Sequence, residues 1–313
     1  MKEHIKGFLF GTTIGDALGV PVEFMSRSFL KRSPVVDMRS MGTHCQLAGT
    51  WSDDTSLTFC LTEQIIEGYN LEHLSEKICK WYTQNYWSAR GEVFDIGIST
   101  KNALDRLLKG THPAESGEKG EYSNGNGSLM RILPLVFYLK NKSIEHRFKI
   151  IQEVSGITHA HIRSQIACFF AVELSINLYK GLEKAKAYLD TQNTVRDYIN
   201  TIHIPASEKE LFIRIFYDNI TQVHESEIYS SGYSLHTLEA SLWAFLTTDS
   251  YSEAVLKAVN LGDDSDTTGC LTGGFAGLYY GFDAIPQEWI AQLARKDDIM
   301  DLSERLTNWA HKQ

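Results

Sequence analysis

Asp263, Asp264 and Asp266 fall within four consecutive positions, flanked by Ser265, Thr267 and Thr268. Carboxylates this close repel one another unless a cation or a set of N–H donors sits between them. Small residues follow at Gly269, Gly273, Gly274, Ala276 and Gly277. They predict a buried helix with a flat face pressed against another backbone. Its positive N-terminal end favours an acidic turn. A second acidic turn, Gly49-Thr-Trp-Ser-Asp-Asp-Thr-Ser56, places Ser52, Asp53 and Asp54 ahead of another apolar helical run. Hard oxygen donors without thiolates or clustered imidazoles suit Mg²⁺ or Mn²⁺. Two such turns predict two ions, about 3.5–4 Å apart if they share ligands.

Other residues can join this chemistry. Glu23 lies between Val22 and Phe24, and a carboxylate in an apolar setting needs a partner. Asp16 is expected to end the first helix, and two readings stand for it: a turn carboxylate or a functional one. Asp95, in Phe94-Asp-Ile-Gly-Ile-Ser-Thr100, reads on its own as a helix-start carboxylate. The stretch Ser123-Asn-Gly-Asn-Gly-Ser-Leu-Met-Arg131 is Gly-rich and is expected to feed an amphipathic helix carrying Leu129, Ile132, Leu133 and Val136. Backbone N–H groups converging there would suit a phosphate, although a lone Gly-rich loop is most often a turn. His159 and His161 suggest zinc at first sight. On a helix their rings would point about 200° apart, and no cysteine pair or HExxH motif accompanies them.

Taken together, Gly15-Asp-Ala-Leu-Gly-Val-Pro-Val-Glu-Phe24, the Ser52–Thr55 turn and the Asp264–Thr267 turn, in that order, resemble the ADP-ribosylglycohydrolase family, which includes the dinitrogenase reductase-activating glycohydrolases. The resemblance runs from about Ile5 to Phe282. It implies metal ligands at Ser52, Asp53, Asp54, Asp264, Asp266 and Thr267. Ser52 stands where many relatives have Thr, so the hydroxyl is kept. Asp263 stands where relatives often have Gly. The resemblance places Glu23 beside the metals and matches Asp95 to the family's Asp-Ile-Gly turn. It puts Asn126, Gly127, Ser128 and Arg131 along an ADP-ribose cleft, with His159 near the ligand and His161 structural.

The implied reaction is removal of ADP-ribose from a modified side chain, arginine-linked by preference. Two Mg²⁺ or Mn²⁺ ions would assist attack of water on the anomeric carbon of the distal ribose, with Glu23 or Asp95 as the base. An ADP-ribosylated small metabolite is an alternative substrate. A non-catalytic, crystallin-like binder is a third reading, opposed by the survival of both acidic turns and Glu23.

The elements that must position these residues are helical. Ile5, Phe8, Leu9, Thr12 and Ala17 share one face, and Gly7, Gly11 and Gly15 recur four apart. A helix is expected to start at Asp54 or Thr55 and end at Gly68, followed by one carrying Leu71, Leu74, Ile78 and Trp81. Further helices are expected over 101–108, from Thr158 onward, through 182–235, over 236–246 and 251–261, and near Trp289 and Leu302. Glu239 is read as ion-paired or at an interface. Residues 26–50 and 111–127 are long loops, either substrate-facing rims or plain surface excursions. No stretch alternates as a strand does, so the expected fold is all-α: a single helical bundle over residues 1–313 with its cleft built from turns at helix starts.

Composition narrows the class. The 43% hydrophobic content supports a sizeable core, and the net charge of −9 argues against nucleic-acid and anionic-membrane partners. The apolar run Gly7–Phe10 is too short for a signal peptide or a membrane span. Five cysteines (Cys45, Cys60, Cys79, Cys168, Cys270), odd in number and without a CxxC pair, read as reduced thiols. A cytoplasmic location is expected. Sequence does not set the oligomeric state.

Overall fold

The computed structural model describes residues 2–313. Eleven helices of nine residues or more form the body: α1 (Lys2–Gly19), α2 (Asp53–Glu67), α3 (Leu71–Gln84), α4 (Ile98–Leu108), α5 (Ile144–Gly156), α6 (Ile162–Tyr179), α7 (Lys184–Thr201), α8 (Ser234–Leu246), α9 (Tyr251–Val259), α10 (Ser265–Tyr280) and α11 (Lys296–Ala310). Among the described residues there is no sheet, only isolated bridges such as Gly125 with Tyr233. Among the same residues no helix is long and apolar enough to cross a membrane. All five cysteines are free, with Cys60, Cys168 and Cys270 buried.

The central pair is α1 and α10, which run antiparallel with their glycines interleaved. A Cβ on Gly15 would strike the Gly269 carbonyl oxygen, one on Gly11 that of Gly273, and one on Gly7 that of Gly277. The reverse holds from the α10 side, so neither helix tolerates a side chain there. At the far end Ser265 Oγ donates to the Gly19 carbonyl (3.0 Å), and Tyr251 OH donates to that of Gly11 (2.8 Å). Gly273→Ala is expected to destabilise the protein by about 3 kcal/mol through overpacking, despite alanine's better helix propensity. Urea unfolding checks it; an unchanged midpoint would contradict the contact.

This register sets the site. It brings the C-terminal half of α1 to the N-terminus of α10, with Asp16 on one helix and Asp264 and Asp266 on the other. Asp16 does not end α1, as its sequence position suggested: the helix continues to Gly19. Asp16 instead anchors the start of α2. Its carboxylate accepts from the Ser52 N–H (2.9 Å), the Thr55 N–H (3.1 Å) and the Thr55 hydroxyl (2.6 Å).

Several expected boundaries move. α2 begins at Asp53, because Ser52 Oγ caps it by accepting from the Asp54 N–H (3.3 Å). α4 begins at Ile98 with Gly97 as its N-cap, so Asp95 lies outside the helix in a left-handed conformation (φ 52°). The helix expected after Ser128 is broken. Pro134 has no N–H to continue it, leaving a 3₁₀ turn (Leu129–Arg131) and a short helix (Leu135–Leu139). α6 starts at Ile162, with His161 as its cap and His159 before it. The region 182–235 is only partly helical: after α7 come short helices and 3₁₀ turns. Glu239 is ion-paired with Arg214 (3.2 Å).

Candidate active site

Segments far apart in the chain converge on a cleft of about 300 Å³. Asp53 and Asp54 enter from the start of α2, Asp264 and Thr267 from the start of α10, and Glu23 and Asp95 from loops. The turn Gly125–Gly127 and His159 line the rest. Asp266 adjoins: one oxygen each from Glu23, Asp264 and Asp266 lie within 4.8 Å of one another.

The acidic wall is buried and short of partners. Asp264 Oδ2 accepts from Asn126 Nδ2 (2.8 Å), which also reaches Thr237 Oγ1 (2.8 Å). Thr267 Oγ1 approaches Asp54 Oδ1 (3.4 Å). Yet Asp54 Oδ2, Asp264 Oδ1 and Asp266 Oδ2 are buried with no hydrogen-bond partner among the described residues. Burial, then the neighbouring carboxylates, hold Asp53, Asp54 and Asp266 well above the usual carboxylate range. Asp264 is also raised, chiefly by burial. Asp16 is pushed up to about 7, again by burial, in spite of its hydrogen bonds. Orphaned, mutually repelling carboxylate oxygens are what a hard divalent cation would satisfy, so the donor set fits one.

Not every residue expected at the site reaches it. Ser52 is buried at the start of α2, where its Oγ accepts from the Asp54 N–H (3.3 Å), a contact that uses one of its lone pairs. Ser128 is fully buried behind the cleft, where its Oγ accepts from Ser155 Oγ (2.9 Å) and meets Cys168 Sγ (3.5 Å). Arg131 is also fully buried and bonds to the Val154 carbonyl and Thr158 Oγ1. Because Pro134 breaks the following helix, no long helix continues from the Gly125–Gly127 turn, and an anion there would meet the turn backbone together with Asn126, His159 and the start of α4. A Cβ on Gly127 would come within 2.8 Å of the His159 ring. Gly127→Ala is therefore expected to weaken ADP-ribose binding about tenfold with little change in Tm; calorimetric titration would show it, and wild-type affinity would contradict it.

Sequence reading missed His44. The backbone turns left-handed at Met41, Gly42 and Cys45 (φ 71°, 72° and 54°), folding residues 41–46 into a clip over Pro21–Phe24. The Thr43 N–H donates to the Pro21 carbonyl (3.1 Å) and the Thr43 hydroxyl to that of Glu23 (2.6 Å). The clip sets His44 Nε2 in hydrogen-bond contact with Glu23 Oε2, and the His44 ring lies 5.2 Å from that of Phe94. The hydrogen bond with Glu23 leads in raising His44. Burial pushes the Glu23 carboxyl up to about 8. The His44 position carries no local motif; only its sequence neighbourhood, a long loop directly before an acidic turn, hinted at a role. Phe24 is itself left-handed (φ 62°) and two-thirds exposed. Its N–H bonds the Asp263 carbonyl (2.6 Å), and the Asp263 N–H bonds that of Met25 (2.9 Å), tying the Glu23 loop to the acidic turn.

An all-α body with an acidic cleft between helix starts defines the class, and comparison with known proteins agrees with it. The family model described as ADP-ribosylglycohydrolase matches residues 1–313. The chain belongs to the ADP-ribosylglycohydrolase family and is a hydrolase of that kind. It is 34% identical over 310 residues to ADP-ribosylarginine hydrolase Tri1 of Serratia proteamaculans, covering 97% of this chain and 79% of that one. It is 25% identical to the ADP-ribosyl-[dinitrogen reductase] glycohydrolase of Rhodospirillum rubrum, covering 95% and 92%. A solved structure titled ADP-ribosylglycohydrolase-related protein complex superposes with a TM-score of 0.81 at 27% identity, covering 99% of this chain and 98% of the other.

Proposed function

We propose that the protein hydrolyses the bond between ADP-ribose and a modified arginine side chain, using two Mg²⁺ or Mn²⁺ ions. The observation that carries this reading is the set of buried, unpartnered carboxylate oxygens of Asp54, Asp264 and Asp266 in one cleft with the Gly125–Gly127 turn. The similarity to two ADP-ribosylarginine hydrolases, at 34% and 30% identity, supports the arginine linkage.

Asp53, Asp54, Asp264, Asp266 and Thr267 would hold the cations, with Ser52 fixing the turn that presents the first pair. When bound, such ions neutralise the wall and act as Lewis acids toward water and ribose oxygens. The Gly125–Gly127 turn and Asn126 would take the diphosphate and orient the distal ribose toward the acidic wall. Water attacks the anomeric carbon and the carbon–nitrogen bond breaks. The bonding pair leaves on the guanidine nitrogen, which picks up a proton. Glu23, with His44 against its Oε2, accepts the proton that water loses. One oxygen of Asp95 lies within 4.8 Å of one of Glu23, and the Asp95 carboxylate would add negative charge where the ribose becomes positive.

The test is release of ADP-ribose from an arginine-ADP-ribosylated protein with Mg²⁺, with Mn²⁺ and with EDTA. A serine-linked protein and a free ADP-ribosylated metabolite run in parallel. Metal-dependent release from the arginine-linked protein alone is expected. Release only from one of the other two would replace the arginine assignment.

A further inference from the structure

Arg131 is a buried cation with no paired carboxylate. Its Nη2 donates to the Val154 carbonyl (3.2 Å) and to Thr158 Oγ1 (2.8 Å), while Nε and Nη1 have no partner among the described residues. Val154 sits in the last turn of α5, whose negative end accounts for the first bond. It does not account for the second.

A guanidinium can only donate. Thr158 Oγ1 is therefore an acceptor toward Arg131, and its own proton must go elsewhere. Its one other hydrogen-bond contact among the described residues is His159 Nδ1, at 2.9 Å. Nδ1 accepts, so a neutral ring carries its proton on Nε2. That nitrogen makes no hydrogen bond to the protein among the described residues. It lies at the cleft: a Cβ on Gly125 would stand 3.3 Å from it. Burial, and after it the Arg131 charge, push the ring down to about 3 and oppose a second proton.

We propose that Arg131 and Thr158 are positioning residues that lock His159 as the neutral, Nε2-protonated imidazole, offering one fixed N–H donor to an acceptor oxygen of the bound ligand. The ligand, a phosphate or ribose oxygen of an ADP-ribosyl group, rests on the function proposed above; the locked tautomer does not. A donor fixed in this way keeps its hydrogen bond across the physiological pH range and disfavours ligand groups that present an N–H at that point.

The experiment is ¹⁵N NMR of the histidine side chains in the full chain, with His159 assigned from the spectrum of His159→Gln. The expected wild-type result is a protonated Nε2 and an unprotonated Nδ1, unchanged between about pH 5 and about pH 8. Thr158→Val removes the hydroxyl and keeps the branched shape. It is expected to mix the two tautomers and weaken ADP-ribose binding about tenfold, and Thr158→Ser is expected to restore both. If Arg131 only caps α5, Thr158→Val leaves the tautomer untouched, and the proposal fails. It also fails if wild-type His159 carries its proton on Nδ1 or titrates in that pH range. Should Thr158→Val not fold, the wild-type and Thr158→Ser spectra decide. A wild-type protein with the expected tautomer that binds no ADP-ribose in Mg²⁺ would overturn the ligand assignment and leave the relay standing.

Discussion

Asp264→Asn is expected to lower hydrolysis by at least about 10³-fold and, in the absence of metal, to raise Tm. The two effects share a cause. Asp264 Oδ1 is buried without a partner, and burial raises the group. An asparagine carbonyl can still accept from Asn126, as Asp264 Oδ2 does now, while one negative charge leaves a crowded wall. The apo protein therefore loses a repulsion, and the metal loses a ligand whose electrostatic contribution is worth several kcal/mol to the reaction. The measurement pairs turnover with thermal melts, with and without Mg²⁺. Full activity would remove Asp264 from the metal site, and a large drop in apo Tm would show that the carboxylate is structural.

The same reasoning predicts how metal-dependent stability varies with pH. Burial raises Glu23 to about 8 and Asp16 to about 7. A carboxyl with a raised folded pKa favours the folded state fully below its unfolded pKa and loses that contribution as pH climbs to the folded value. For these groups the loss runs from about pH 4 to about pH 8, and the apo protein should become less stable across it. A cation offsets the added charge, so the gain in Tm on adding Mg²⁺ is expected to be larger at about pH 8 than at about pH 6. Equal gains at both would contradict the raised carboxylates.

Glu23→Gln is expected to lower the rate about 10²–10⁴-fold while leaving Mg²⁺-induced stabilisation largely intact. Glutamine keeps the shape and can still bond His44, so the clip over Pro21–Phe24 should hold. What it cannot do is take a proton from water. Loss of the Mg²⁺-induced Tm shift in this variant would instead make Glu23 a metal ligand, an arrangement its proximity to Asp264 and Asp266 allows. A rate near that of the wild type would move the base to Asp95.

Much of the scaffold was legible because its causes are local. The small-residue face of α10 and the apolar stripes of α2 and α3 depend on neighbours three and four positions away, which a sequence displays directly. The two acidic turns were legible for the same reason. So was the expectation that they call for a cation or a set of N–H donors, since clustered carboxylates repel in any fold. The resemblance to a family rested on these local signatures.

What the chain's order did not disclose are contacts across long separations. Asp16 stabilises a turn 36 residues away, and its burial depends on the glycine register of α1 against α10. Arg131 and Ser128 share a motif with Asn126 and Gly127, yet both side chains turn into the core, Arg131 to Val154 and Thr158 and Ser128 to Ser155. His44 reaches Glu23 only because a run of left-handed residues folds its loop back on Pro21. Periodicity tells which face of an element is apolar. Which polar side chain ends in the cleft and which ends behind it is settled by close packing among distant segments, where each group is buried only with a partner that the whole fold supplies.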